Sequence, residues 1–351
     1  MSLRMTEQIK EVRPLDQAAA EQARAHIDQL TKPPGSLGRL EELAVLLAGM
    51  TGNPFPDVAP PGVLVFAADH GVVEEGVSAF PQEVTAQMVC NFVRGGAAIN
   101  VFARQIGALL RVVDVGVAAD LDTDEIWKKK VRYGTANFVR EPAMTKEEAH
   151  RCVETGMEAA EAIVSEGAKL LIIGEMGIGN TTASSAMLAA LTGADAEEVV
   201  GRGTGITGQA RQHKVQVVKR ALEARKPDPQ DPMDVLEKVG GLEIGAMAGA
   251  VIGAASRQTP VLVDGLISTV AALLAVRLCP AVQNYLIAGH KSVEPGHAIA
   301  LRVLDKEPLL DLSLRLGEGS GAAVAFPLVE AAARMIREMA TFASAGVTGR
   351  T

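Results

Sequence analysis

Six short apolar runs recur along the chain with few polar interruptions: 63–67, 110–115, 170–173, 260–263, 285–288 and 312–316. A strand with one wet face alternates polar and apolar positions. Unbroken apolar runs instead mark strands covered on both faces, as in a parallel sheet. Polar or glycine-rich residues follow each run: Asp69-His70-Gly71, Gly116, Gly174-Glu175, Asp264-Gly265, Gly289-His290 and Gly317-Glu318-Gly319. Helix-like segments separate most of the runs. The pattern predicts an α/β fold with a doubly wound, mainly parallel six-stranded sheet of Rossmann-like type. Ligands in such folds sit beyond the carboxyl ends of the strands, so the residues after each run are the site candidates.

The chain ends read differently. Residues 16–30 are spaced as an amphipathic helix. After the stretch 32–41 a second helix runs to about Met50, with Ser36 as its candidate N-cap. Residues 53–62 form a proline-rich connector, and 320–340 read as a long helix. These helices predict a small helical subdomain built from both ends of the chain. Residues 1–60 form its first part and 61–300 a large nucleotide- and base-binding domain. Residues 301–351 supply the last strand, a catalytic loop and the closing helix. Gly241, Gly245, Gly249 and Gly253 recur every four residues, which on a helix gives one bare face for close packing, in the core or at a dimer contact.

Composition narrows the choices. With 351 residues and 48% hydrophobic residues the chain can bury a real core. A net charge of −8 disfavours nucleic acid or an anionic membrane as the main partner. Aromatics, at 3%, leave few platforms for stacking on single strands. Cys90, Cys152 and Cys279 are far apart and form no C-x-x-C pair, which fits a reducing cytoplasm. The N-terminal stretch lacks the apolar core of a signal peptide. The most apolar region, 239–278, is broken by Glu243, Arg257, Gln258, Pro260, Asp264 and Arg277. It falls short of the ~20 apolar residues of a spanning helix.

The stretch GEMGIGNTT, 174–182, sits between an apolar run and a helix-like segment. Loop amides and a helix N-terminus make an anion site there. The spacing approaches a triphosphate loop, but Asn180 stands where lysine would be and the loop carries Glu175. A dinucleotide fingerprint also fails, because Gly177 and Gly179 match while Thr182 takes the third glycine position. A monophosphate needs less charge, and a plain strand-to-helix turn is the other reading. A second loop, Gly201-Arg202-Gly203-Thr204-Gly205, with Lys214 downstream, could cradle phosphate or ribose, or be a flexible turn. Glu318, flanked by glycines, is a candidate general base or an exposed loop glutamate. Phe80, Gln87 and Met88 could line a pocket for a flat ring, or Phe80 and Met88 could simply be core. Among six histidines none pairs at i, i+4. His290 and His297 could hold a metal but more often such residues are hydrogen-bonded or on the surface. Asp69, His70 and Asp264 are site residues or turn formers.

Taken together, KPPGSLGRLEELA, FAADHGV, SAFPQEVTAQMV, GGAAINVFARQ, GEMGIGNTT, GRGTGI, DGLIST, AGHKSVEPGH and LRLGEGSGAA resemble, in that order and over nearly the whole chain, the nicotinate-nucleotide–dimethylbenzimidazole phosphoribosyltransferases. The resemblance implies transfer of the phosphoribosyl group of nicotinate mononucleotide to 5,6-dimethylbenzimidazole, with α-ribazole 5′-phosphate and nicotinate as products. It also implies a cytoplasmic homodimer with a parallel-sheet domain and a small helical domain. By motif, Glu318 matches the catalytic base and Glu175 a second active-site carboxylate. Gly177, Gly179, Asn180 and Thr181 match a nucleotide contact. Gly203, Thr204, Gly205, Lys214 and Ser292 match the phosphate and ribose neighbourhood, and Phe80, Gln87, Met88 and Leu316 the base pocket. The chemistry agrees with the inventory. The leaving ring nitrogen is already cationic, so no general acid is required. The acceptor loses one N–H proton, which one carboxylate can take. The donor is a monophosphate, so neither metal nor cofactor is expected. Glu175 is expected to stabilise positive charge developing on the ribose. The alternatives are the same reaction with another acceptor base, or a non-catalytic nucleotide sensor.

Overall fold

A computed structural model describes residues 2–348; residues 1 and 349–351, the extremes of the two outer expected segments, lie outside the described residues. Six parallel strands form one sheet: β1 (Pro61–Ala68), β2 (Leu109–Gly116), β3 (Trp127–Lys128), β4 (Leu170–Met176), β5 (Val261–Val263) and β6 (Leu286–Ala288). Their order is β3-β2-β1-β4-β5-β6, with every neighbouring pair parallel. All eight residues of β1 are buried, so both of its faces are covered, as its unbroken apolar run requires. The order reverses between β1 and β4. The ends of these two strands, in register at Phe66 and Glu175, open the crevice in which such folds bind ligands.

One expected strand is wrong. Residues 312–316 are irregular, and Leu312 and Leu316 are 55% and 61% exposed. The sequence Leu-Ser-Leu-Arg-Leu is apolar only at every second position, and no layer covers it. The segment instead runs past the edge beside the residues after β6. There Leu310 N donates to Gly289 O at 3.1 Å and Val293 N to Leu314 O at 3.2 Å. The sixth strand is the two-residue β3, which pairs only at Val113–Trp127 and Asp114–Lys128.

The chain ends meet. In the helix Gln17–Ile27, Asp16 caps Ala19 N at 2.9 Å. The helix Arg39–Thr51 begins after Gly38, without a side-chain cap. Ser36 is therefore not its N-cap. The Glu41 carboxylate accepts from Leu37 N at 2.9 Å and pairs with Lys32 at 2.8 Å. The helix Ser320–Glu338 packs on Arg39–Thr51, and Leu30 bridges to Thr341. An unanticipated helix, Leu3–Glu11, buries Met5 against the helix Leu242–Ser256. Among the described residues, no helix is long and apolar enough to cross a membrane.

The glycine stripe lies inside the chain. The helix Leu242–Ser256 packs along the helix Lys146–Ser165. A Cβ on Gly249 would stand 2.7 Å from the carbonyl carbon of Val153, and one on Gly253 would stand 2.9 Å from the Met157 carbonyl oxygen. The two backbones touch because the glycines of the stripe carry no side chain. Gly249→Ala should therefore lower the denaturant midpoint, at a cost of roughly 1–3 kcal/mol for overpacking a rigid seam. An unchanged midpoint would show that the helices part freely.

Candidate active site

Glu175 reaches the crevice because β4 ends one residue later and Gly177-Ile178-Gly179 turns the chain into the helix Asn180–Thr192. Gly179 caps that helix at φ +98°, a conformation that favours glycine. Ile178 N donates to Thr85 Oγ1 at 3.1 Å, tying the loop to the helix Val84–Val93. Asn180, at the position of the missing lysine, donates its amide N–H to the Glu175 carboxylate. A cation arrives from elsewhere. Lys214, buried on the helix Gln209–Arg225, donates from Nζ to Thr181 Oγ1 at 2.7 Å. Burial pushes its ammonium down to about 8, against the pull of Glu294. The second glycine loop closes over this lysine: a Cβ on Gly203 would lie 3.0 Å from Nζ. Gly203 N donates to Glu294 Oε1 at 2.9 Å.

Glu318 stands opposite. Gly317, Glu318 and Gly319 have φ of +92°, +65° and +86°. A left-handed glutamate costs of order 1–3 kcal/mol and persists only where its surroundings impose it. Its Oε2 accepts from Ile99 N at 3.2 Å, in the first turn of the helix Ala98–Gln105. Burial raises its proton affinity, Asp264 adds to this, and the Ile99 N–H opposes it. Glu175 is held well above the usual carboxylate range, chiefly by burial and then by Glu243, Asp264 and Glu318.

These residues share a cavity of about 450 Å³. Of the expected residues, Glu318, Glu175, Gly177, Asn180, Thr181, Gly203, Thr204, Ser292, Phe80, Met88 and Leu316 line it. Gly179 and Lys214 lie behind the wall, and Gly205 is exposed beyond it. Gln87 is not brought to the wall. Val84 and Met88, one helical turn apart, face the cavity, while Gln87 points to solvent. Asp264, expected as a site residue or turn former, and His290, expected as a possible metal ligand, also line the cavity, as do Glu294 and Arg315, to which no role was given. Arg315 sat within the supposed strand, and Glu294 becomes a site residue only when the fold brings it to Gly203.

The histidines hold the frame of the site. His297 Nδ1 accepts from Ser292 N at 2.8 Å, so its proton is on Nε2, which faces Thr269 Oγ1 at 3.0 Å. Burial and His290 push its pKa down to about 4, in keeping with a neutral ring that fixes Ser292. His70 Nε2 meets Glu243 Oε1 at 2.7 Å beneath the first glycine loop. Among the described residues, no group of three or more His, Cys, Asp or Glu side chains is arranged to hold a metal.

The protein is an open parallel-sheet α/β protein with two glycine loops and two buried carboxylates in one cavity at the switch point of the sheet. A family model described as Phosphoribosyltransferase matches residues 12–347. The chain belongs to this phosphoribosyltransferase family. It is 55% identical to the nicotinate-nucleotide–dimethylbenzimidazole phosphoribosyltransferase of Chloroflexus aggregans, over 99% of both chains. It is 53% identical to the enzyme of the same name from Halalkalibacterium halodurans, over 99% of this chain and 97% of that one. The crystal structure of CobT from Thermus thermophilus superposes with a TM-score of 0.91 at 50% identity, covering 95% of this chain and 100% of that one.

Raised carboxylates carry a stability consequence with a definite sign. Glu175 binds its proton more tightly in the folded than in the unfolded chain. Folding stability is therefore lost as pH rises from the unfolded value toward the folded one. Glu175→Gln removes this loss. The variant should melt above the wild type at about pH 8, with the gain shrinking toward about pH 4. Coincident melting curves across that range would show that the buried carboxylate costs nothing.

Proposed function

We propose that the protein transfers the phosphoribosyl group of nicotinate mononucleotide to 5,6-dimethylbenzimidazole, giving α-ribazole 5′-phosphate and nicotinate in assembly of the cobalamin lower ligand. The carrying observation is that the Glu318 carboxylate, the Glu175 carboxylate and the two glycine loops open into one cavity. Relatives more than half identical carry the name of this enzyme.

In this reading Thr181, Gly203, Thr204 and Ser292 receive the ribose phosphate, with Lys214 supplying charge through Thr181. A monophosphate suits a loop whose only nearby lysine is borrowed. Phe80, Met88 and Leu316 hold the acceptor ring at the mouth. One benzimidazole nitrogen attacks the anomeric carbon, and the bond to the pyridinium nitrogen breaks. The ring leaves as neutral nicotinate nitrogen, so no acid is needed. Glu318 takes the proton from the other acceptor nitrogen. Its raised proton affinity makes it a better base than a surface glutamate. Glu175, once ionised against the cationic donor, stabilises positive charge on the ribose.

We also propose a cytoplasmic homodimer. Phe80 and Leu316 line the cavity yet are 51% and 61% exposed, as a mouth covered by a second subunit would leave them. All three cysteines are free thiols, which fits a reducing compartment. The helices from both chain ends are read as one small subdomain, with 61–300 as the large one.

Purified protein given both substrates without added metal should yield α-ribazole phosphate and nicotinate on chromatography. Glu318→Gln should still bind the nucleotide and lose roughly 10²–10⁴-fold in kcat, the usual contribution of a positioned base. Near-normal turnover in that variant would remove Glu318 from the role. Light scattering should give twice the chain mass, and a monomer that is fully active would sink the dimer proposal.

A further inference from the structure

Asp264 follows β5 and His290 follows β6; both are buried and line the cavity, yet the proposed proton transfer uses neither. Asp264 Oδ1 lies 3.2 Å from His290 Nε2 and accepts from Ala322 N at 2.9 Å, in the first turn of the helix Ser320–Glu338. The His290 ring lies flush against Gly321, where a Cβ would stand 2.6 Å from its Cγ. The pair therefore grips two consecutive residues just beyond the left-handed turn that carries Glu318. Without such a grip that turn would relax, since its dihedrals are unfavourable for glutamate.

We infer that Asp264 and His290 are positioning residues for Glu318: together they clamp its loop and set the electric field around its carboxylate. This rests on the reading of Glu318 as the base. The two members act in opposite directions. Asp264 is a like charge that raises the proton affinity of Glu318. Burial would lower the His290 pKa, but the hydrogen bond and charge of Asp264 outweigh it and raise it. A proton on His290 offsets Asp264. Besides this pair, Glu318 shares the cavity wall with Glu175 from β4, Arg315 from its own segment and Glu294 from the stretch after β6, with Glu243 behind Glu175. Asp311 and His297 face His290.

The test is the pH profile of kcat/KM for the wild type, Asp264→Asn and His290→Gln. The base works deprotonated, so the acid limb reports its titration. Asp264→Asn removes a like charge and should move that limb to lower pH. His290→Gln leaves Asp264 uncompensated and should move it to higher pH. Both should lower kcat roughly tenfold or more through misplacement, with the nucleotide KM little changed. A limb that stays put in both variants, or moves the same way in both, overturns the inference. Should either variant fail to fold, histidine NMR on the wild type and Glu318→Gln replaces it. By reciprocity, loss of the Glu318 charge should lower the His290 titration, and an unmoved titration overturns the inference. Retained turnover in Glu318→Gln would instead sink the base reading, whatever the limbs do.

Discussion

The backbone of Glu318 rests on the bare Cα of Gly174, and the site is assembled on that contact. A Cβ on Gly174 would overlap the Glu318 carbonyl and stand 2.6 Å from Gly319 N. Because the contact is main chain on main chain, it joins the end of β4 to the turn before the helix Ser320–Glu338. That junction sets both carboxylates into one cavity and aims Glu318 at the Ile99 amide. The left-handed turn at 317–319 is the form the chain must adopt to make it. Strain here is local, and its support comes from strands β4, β5 and β6 together.

Electrostatically the cavity is acidic. Glu175, Asp264, Glu294 and Glu318 line it, against Arg315 and a His290 whose proton affinity is lowered by burial but raised on balance by Asp264. Lys214 acts from behind Thr181. Burial and this crowding raise the proton affinity of Glu175 and Glu318, and such a wall favours a ligand that brings positive charge next to a single phosphate. Nicotinate mononucleotide has that distribution. A nucleoside triphosphate would place several negative charges against these carboxylates, with Arg315 on the wall and Lys214 behind it to meet them.

What the sequence made legible was whatever depends on neighbours along the chain. The apolar runs named β1, β2 and β4, because burial on both faces leaves few polar positions: none in β1, Glu175 in β4, and Arg111 and Asp114 in β2. Glu175 and Glu318 stood out because glycines beside a carboxylate have little other use. The failures share a cause as well. Residues 312–316 alternate, and only the tertiary edge decides that Leu312 and Leu316 face water. β3 is two residues long and exists through its pairing with β2. Gln87 lies one step round the helix from Met88, a rotation that composition does not reveal. Glu294 and His297 gain their roles from Gly203 and Ser292, contacts that arise only once the loops are folded together.

The meeting of the two chain ends has a kinetic side. Leu43, Ala44, Leu47 and Ala48 on the helix Arg39–Thr51 are buried with the help of the helix Ser320–Glu338, which is made last. Nearly the whole chain is the loop that this contact closes. Closure entropy grows only slowly with loop length, but non-local pairing of this kind delays folding. Until the final helix docks, the N-terminal helices show their apolar faces to solvent, and no Glu318 is in place. The cover of the N-terminal helices and the placing of Glu318 therefore depend on the same late-made helix, and exposed apolar faces of this kind are what makes a partly folded chain prone to aggregation.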